Sequence, residues 1–93
     1  MVIGCLVLDM FLPFAASLKD KRKVLNRLRD RVRGRHNVAL SELEFQDKWQ
    51  RARVGIVTLN SERAVVEQVL HRIADDIRDN TDGEVLNAEF LYF

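Results

Sequence analysis

The stretch that decides the fold is Ser17–Gly34, Ser-Leu-Lys-Asp-Lys-Arg-Lys-Val-Leu-Asn-Arg-Leu-Arg-Asp-Arg-Val-Arg-Gly. Apolar residues recur on one side of it at helical spacing: Leu18, Leu25, Leu28 and Val32. Ser17 is a typical N-cap residue, and Asp20 takes the place of the acid in a capping box. Gly34 suits the left-handed position just past a helix end. The stretch therefore predicts one helix over residues 17–34.

The segments around this helix alternate between strand and helix patterns. In chain order they predict a strand over Met1–Leu12 that Pro13 stops, strands over Val38–Phe45 and Arg51–Leu59 joined by a hairpin loop, a helix capped by Ser61, and a strand over Glu84–Phe93. The order β-α-β-β-α-β indicates an α+β protein with a ferredoxin-like sandwich, in which two helices cover one face of a four-stranded antiparallel sheet. We expect a single domain over residues 1–93.

The last strand is apolar on both sides. Its pattern places Leu86, Ala88, Phe90 and Tyr92 on one side, and Val85, Leu91 and Phe93 on the other. Only one side can meet the helices, so the other would leave an apolar patch in water. We therefore expect a homodimer or higher oligomer through the open sheet face or its edge, with a marginally exposed last strand as the alternative.

The composition is that of a globular domain. The chain has 93 residues, of which 47% are apolar and 31% charged, and it contains a single cysteine, Cys5. Disordered chains are poorer in apolar residues, one cysteine excludes a disulfide framework, and no apolar run is long enough to span a membrane. The N-terminus lacks the basic region and the cleavage site of a signal peptide. We expect a cytoplasmic protein with no membrane partner.

A formal net charge of +1 hides a strong asymmetry along the chain. Residues 17–36 carry nine bases and two acids, a net charge of +7, whereas the remainder carries six bases and twelve acids, a net charge of −6. Local fields of this kind, rather than the total charge, govern which partners a surface attracts.

The first helix concentrates its bases on one side. At 100° per residue, an arc of about 120° holds the residues that we call the basic track: Lys19, Arg22, Lys23, Asn26, Arg29 and Arg33. Such a stripe suits the phosphates of a nucleic acid. The alternative is that the acidic second helix, or a second subunit, neutralises it.

Two further features of the sequence are candidate sites. Lys21 falls in the middle of the apolar stripe, where it either reaches outward past the sheet edge or is held by a buried acid. The hairpin loop places the only tryptophan, Trp49, beside Arg51 and Arg53, a combination that can stack on bases or anchor an interface. The alternative is that Trp49 plugs the core edge while the two arginines pair with Glu42 and Glu44.

No combination of residues predicts a catalytic, metal or cofactor site. His36 and His71 have no second ligand at metal-binding spacing, and no glycine-rich phosphate loop is present. A small-ligand or hydrolase site around Lys21, Asp47 and Arg51 in a dimer cleft is a third hypothesis, but no general base in it has a partner. Enzymatic activity is left open, and a non-enzymatic protein is favoured.

Two motifs resemble the YlxP-like family of small bacterial proteins of unknown function. Residues 17–22, Ser-Leu-Lys-Asp-Lys-Arg, are close to that family's S-L-K-E-K-R, and residues 46–52, Gln-Asp-Lys-Trp-Gln-Arg-Ala, are close to its Q-D-x-W-Q-R-A. The resemblance implies the ferredoxin-like fold and no established catalytic residue. It also implies a role near RNA or the ribosome, because the genes of members often neighbour those of transcription elongation, translation initiation and ribosome maturation factors.

The sequence departs from the family pattern at a few positions. Asp20 replaces the glutamate, Phe45 stands where histidine is common, and Ala15 and Ala16 stand where a histidine often precedes the serine. A histidine-dependent role would therefore be in doubt for this chain. Together these observations predict an RNA- or ribosome-associated accessory protein that uses its basic helix. The alternative is a homodimeric interaction module with no nucleic-acid role.

Overall fold

The computed structural model describes residues 1–93 and contains six helices and strands. They are β1 (Val2–Phe11), α1 (Leu18–Arg35), β2 (Ala39–Glu44), β3 (Arg51–Asn60), α2 (Arg63–Asn80) and β4 (Glu84–Tyr92). The strands form one sheet in the order β2-β3-β1-β4, and every neighbouring pair is antiparallel. The two helices pack on one face of this sheet, which confirms the predicted ferredoxin-like α+β sandwich.

The core lies between the sheet and the helices. The inward residues of the two central strands have no exposed surface: Leu6, Leu8 and Met10 in β1, and Ala52, Val54 and Ile56 in β3. Five residues of α2 are buried against them, whereas α1 buries only Lys21, Leu28 and Val32. A Cβ atom at Gly4 would collide with Val66 and Leu70, so the glycine lets α2 approach the sheet closely. Helix α1 buries fewer residues against the sheet than α2 does, and most of its surface is exposed to solvent.

The predicted N-cap residue of α1, Ser17, is confirmed. The Ser17 hydroxyl accepts a hydrogen bond from the Asp20 backbone N–H at 3.1 Å, and the Asp20 carboxylate accepts one from the Ala16 N–H at 2.9 Å. The first bond satisfies an amide group of the first turn that has no partner within the helix. The second differs from a capping box, because Asp20 binds the N–H of Ala16 and not that of the N-cap residue Ser17. The start of α1 is therefore fixed by its own local sequence.

Two predicted helix ends are wrong. Gly34 lies inside α1, and no glycine has a positive φ. The helix runs to Arg35, and His36 is its C-cap residue, with an extended backbone whose N–H donates to the Val32 carbonyl at 2.9 Å. Ser61 does not cap α2, because Glu62 occupies the N-cap position without a side-chain bond. The carboxamide oxygen of Asn60 instead accepts the Glu62 N–H at 3.0 Å.

A bulge in β4 corrects the predicted faces of the last strand. Opposite β1, Asn87 pairs with Asp9 but Val85 pairs with Met10, so Leu86 is the extra residue between them. This shift puts Val85 on the helix side, where it packs against the core. The prediction that Val85 lies on the same side of the strand as Leu91 and Phe93 is therefore wrong.

Candidate nucleic-acid interface

The basic track is an exposed face of α1. All of its side chains are exposed except that of Arg29, which is half-buried. Within the track the structure contains a single ion pair, a 3.7 Å contact between Arg29 Nε and Asp30 Oδ1. Lys19, Arg22, Lys23 and Arg33 make no ion pair within the chain. The predicted stripe therefore exists as a run of cations facing solvent.

The acids of α2 do not neutralise the basic track. Asp76 binds Arg31 through two hydrogen bonds of 2.8 Å, and its Oδ1 lies 3.9 Å from Arg35. At 100° per residue Arg31 lies about 180° around the helix from Arg22, on the opposite flank from the track. Asp75 and Asp79 are exposed and form no ion pair with α1. Helix pairing through Asp76 therefore leaves the track without acid partners from α2.

The Arg31–Asp76 contact also lowers the pKa of the Asp76 carboxyl. Hydrogen bonds from the Arg31 side chain lower the pKa of the Asp76 carboxyl below its usual value, against the opposing effect of partial burial. Asp76 therefore stays ionised and stays engaged with the inner flank of α1 at neutral pH.

A groove of about 230 Å³ runs between the basic track and strand β2. It is lined by Arg22, Leu25, Asn26, Arg29, Leu40, Ser41, Glu42 and Val54. The Nε atom of Arg29 is shielded from water in this region and has no hydrogen-bond partner. Because water does not reach this N–H, a phosphate does not reach it either, and Asp30 Oδ1 lies 3.7 Å from it.

Lys21 is buried, with only 1% of its surface exposed. Its ammonium nitrogen lies 2.7 Å from Glu42 Oε2 and 2.7 Å from the Phe45 carbonyl oxygen. It also lies 3.4 Å from the carbonyl oxygens of Gln46 and Arg51. The favoured expectation, that Lys21 reaches outward past the sheet edge, is wrong. The alternative is correct, because a carboxylate and three carbonyls surround the charge and replace its hydration.

The contacts of Lys21 join the two motifs that carry the family resemblance. The lysine belongs to the first motif, and three of its oxygen partners belong to Phe45 and to the second motif. Phe45 has a φ of 68°, a left-handed conformation that is unusual for an aromatic residue, and its carbonyl also accepts the Lys48 N–H at 2.9 Å. The lysine thus stabilises a strained entry to the hairpin loop.

The exit of the hairpin loop is also tied down. The Gln50 side chain donates to the Pro13 carbonyl at 3.0 Å and to the Ala15 carbonyl at 3.4 Å. The Leu12 N–H donates to the Gln50 carbonyl at 2.8 Å. The loop is therefore held at both ends, against α1 on one side and against the connection that precedes α1 on the other.

Trp49 lies on this loop with 53% of its surface exposed, so it does not plug the core edge. The Arg51 guanidinium lies 4.9 Å from the centre of the Phe45 ring rather than on Glu42, which pairs with Lys21. Arg53 pairs with Glu44 as the alternative interpretation expects, at 3.5 Å, and also with Asp9 at 3.4 Å. Trp49 and Arg51 thus share one loop surface, whereas Arg53 is occupied by acids on the sheet.

The remaining residues of the types used in catalysis or metal binding do not form a cluster. No group of three or more His, Cys, Asp or Glu side chains is placed to hold a metal ion. The His71 ring stacks on the Phe90 ring with 4.1 Å between centroids, and His36 ends α1. Lys21 is buried, so a substrate does not reach its ammonium. No helix has the length and apolar character needed to cross a membrane.

Solved structures of similar fold include the following two chains. One is a C-terminal segment of the alpha subunit of aIF2 from Pyrococcus abyssi, with a TM-score of 0.52 and 22% identity. The match covers 98% of this chain and 49% of that one, so this chain spans about half of that structure. The other is the de novo designed protein Ferredog-Diesel, with a TM-score of 0.52 and 17% identity, covering 96% and 83% of the two chains. At these identities the likeness concerns the fold alone.

Comparison of sequences gives a relative and a family. The uncharacterized protein YlxP of Bacillus subtilis (strain 168) is 42% identical over 69 residues, which are 74% of this chain and 70% of the relative. The profile of a family described as "Protein of unknown function (DUF503)" matches residues 3–90, a range that includes both motifs and the basic track. This chain belongs to the DUF503 family, which confirms the resemblance to YlxP-like proteins.

Proposed function

We propose that this protein binds RNA through the basic track of α1 as a non-enzymatic accessory protein of the cytoplasm. The observation that carries the proposal is that four of the five cations along that face make no ion pair within the chain, while the fifth, Arg29, contacts Asp30. The acids of α2 meet α1 only through Asp76, on the opposite flank. Exposed, unpaired bases in a row attract a phosphate backbone and release its counterions.

The groove beside the track supports the same proposal. Arg22 and Arg29 line it together with the polar side chains of Asn26 and Ser41. Guanidinium, amide and hydroxyl groups side by side suit a phosphate oxygen, which accepts several hydrogen bonds at once. The one carboxylate that lines the groove, that of Glu42, is paired with Lys21. An association with ribosomal particles rests on the family resemblance and is the narrower form of the proposal.

The salt dependence of RNA affinity tests this function. If all five cations of the track contact phosphates of a single strand, the slope of log K against log salt concentration reaches about −3.5. Affinity should then fall about a hundredfold between 50 and 200 mM salt. Fluorescence anisotropy of a labelled single-stranded RNA measures both quantities. Undetectable binding at 50 mM salt, or binding that is indifferent to salt, would contradict the proposal.

A homodimer is a second candidate, and one half of the open sheet face favours it. One end of that face is formed by apolar side chains, with Glu89 at its border: Ile3, Cys5, Val57, Leu59, Leu91 and Phe93. The other end is charged and contains the Asp9–Arg53–Glu44 contacts. Leu59 is 61% exposed, more than its apolar neighbourhood would lead one to expect in an isolated domain. A second copy stacked on the apolar end would cover it.

The dimer predicts a definite response to substitution and salt. The native protein should elute at twice its 10.8 kDa mass in both low and high salt, because apolar contacts are not screened. Leu59→Lys should elute as a monomer. Leu86→Lys is the matched control, since Leu86 is 51% exposed in the bulge near the charged end. A native monomer at micromolar concentration refutes the dimer, and a dimer that dissociates in salt indicates pairing of charged faces instead.

A further inference from the structure

The exposure of Trp49 is unusual because the loop beneath it is held so firmly. The Lys21 side chain binds the backbone carbonyls of Phe45, Gln46 and Arg51, and the Leu12 N–H binds that of Gln50. The Trp49 side chain itself is 53% exposed and stacks on no other aromatic ring of the chain. A rigid loop that presents a large flat side chain to solvent has already lost the entropy that binding would otherwise remove.

The surroundings of Trp49 indicate which chemical class would occupy it. A shallow depression of about 410 Å³ is lined by Asp47, Lys48, Trp49, Gln50 and Arg51, so the tryptophan is ringed by polar and charged groups. The exposed apolar surface suited to a second protein lies elsewhere, at one end of the open sheet face. A flat aromatic ligand with polar edges and a nearby negative charge fits this setting better than an apolar protein surface does.

The loop is linked to the first turns of α1 through Lys21 and Glu42. Glu42 lines the groove beside Arg22, and its carboxylate also contacts Lys21, whose ammonium holds the loop carbonyls. The loop backbone therefore packs against the first turns of α1, next to the start of the track. Phe14, a second exposed aromatic residue, lies in the connection to which Gln50 is bonded.

We propose that Trp49 is a stacking platform for an unpaired nucleobase of an RNA strand whose phosphates lie along the basic track. This inference rests on the proposed function and narrows it to single-stranded RNA. Bases within a duplex have their faces covered by their neighbours, so only an unpaired base can stack on a side chain. Stacking on an aromatic residue tolerates any base, and the site therefore distinguishes strandedness rather than sequence.

The single tryptophan makes the test direct, because all tryptophan emission comes from Trp49. Titration with a single-stranded decamer of uridine should quench this emission to saturation. A blunt RNA duplex of ten base pairs should bind without comparable quenching. Trp49→Ala should lower the affinity for the single strand about tenfold, within the range of about fivefold to 150-fold that base stacking supports. Trp49→Phe should retain most of the affinity, and the salt slope should stay unchanged in both variants.

The outcomes separate this inference from the function on which it rests. Absence of salt-dependent RNA binding in the native protein would refute the proposed function and the inference together. Salt-dependent binding with unchanged Trp49 emission, or with equal affinity in Trp49→Ala, would refute the stacking site alone. Unchanged RNA affinity together with loss of self-association in Trp49→Ala would overturn the inference in favour of a protein contact.

Discussion

Replacing Lys21 with methionine should lower the free energy of unfolding by about 3 kcal/mol. Methionine has nearly the length of the lysine side chain and fits the apolar surroundings, but it donates no hydrogen bond. The substitution leaves the Glu42 carboxylate without a cation and the Phe45 carbonyl with one hydrogen bond fewer. Removing one partner of a buried pair costs about 3–5 kcal/mol, and the partial exposure of Glu42 places this case at the lower end.

Chemical denaturation of the native protein and of Lys21→Met measures this difference. A loss of about 3 kcal/mol corresponds to a fall of roughly 12–24 °C in the melting temperature of a domain of this size. Lys23→Met is the matched control, because the same change at an exposed lysine two residues later should stay within about 0.5 kcal/mol. If the two variants proved equally stable, Lys21 would have to be solvated in solution.

Removing both charges should recover part of the lost stability. In Lys21→Met/Glu42→Leu no unpaired carboxylate remains at the edge of the core, and apolar replacement of buried pairs is often neutral or better. The double variant should therefore be more stable than the sum of the two single changes predicts, with a coupling above about 1 kcal/mol. Strict additivity would show that the 2.7 Å contact between Lys21 and Glu42 carries no coupling.

The sequence predicted the parts of the fold that depend on local patterns. Ser17 located the start of α1, because the bond between an N-cap side chain and the third amide of the helix forms within four residues. The helix ends predicted from Gly34 and Ser61 are wrong, because a residue that is common at helix ends does not force a helix to end there. The position of Leu86 could not be predicted either, because a bulge is defined by the register against another strand.

The candidate site shows the same division between local and distant contacts. Helical spacing was enough to define the basic track and to mark Lys21 as anomalous. The carbonyls that hold Lys21 lie 24, 25 and 30 residues away in sequence, so no local pattern could identify them. The Arg31–Asp76 contact spans 45 residues. Whether the track would be neutralised was therefore open until the two helices were placed side by side.

The placement of the helices gives a physical reason for the extreme charge of α1. Arg31 and Arg35 on one flank of the helix pair with Asp76. The basic track on the other flank has no acid partner from α2. Repulsion among unpaired cations on one helix is unfavourable for folding. An anionic partner would offset this repulsion, and this is the physical reason behind our proposal that the basic track binds RNA.

Reversing two charges of the basic track should nearly abolish RNA binding without unfolding the protein. In Arg22→Glu/Arg33→Glu two phosphate contacts are lost, which alone weakens the affinity for a single strand about 25-fold at 0.1 M salt. Repulsion from the new carboxylates adds to this, so we expect a loss of about a hundredfold or more. The slope of log K against log salt concentration should become shallower by about 1.4. Anisotropy titrations across a range of salt concentrations measure both quantities.

The matched control is Arg72→Glu/Arg78→Glu on α2. It makes the same change of −4 in net charge at two exposed arginines that form no ion pair in the structure. Arg78 and Arg33 both lie in the last turn of their helices, so the helix dipole disfavours a glutamate equally at the two positions. If binding depends on the track, the control should retain most of the affinity and the full salt slope. Equal losses in the two variants would mean that RNA responds only to the overall charge, and the track would then have no special role.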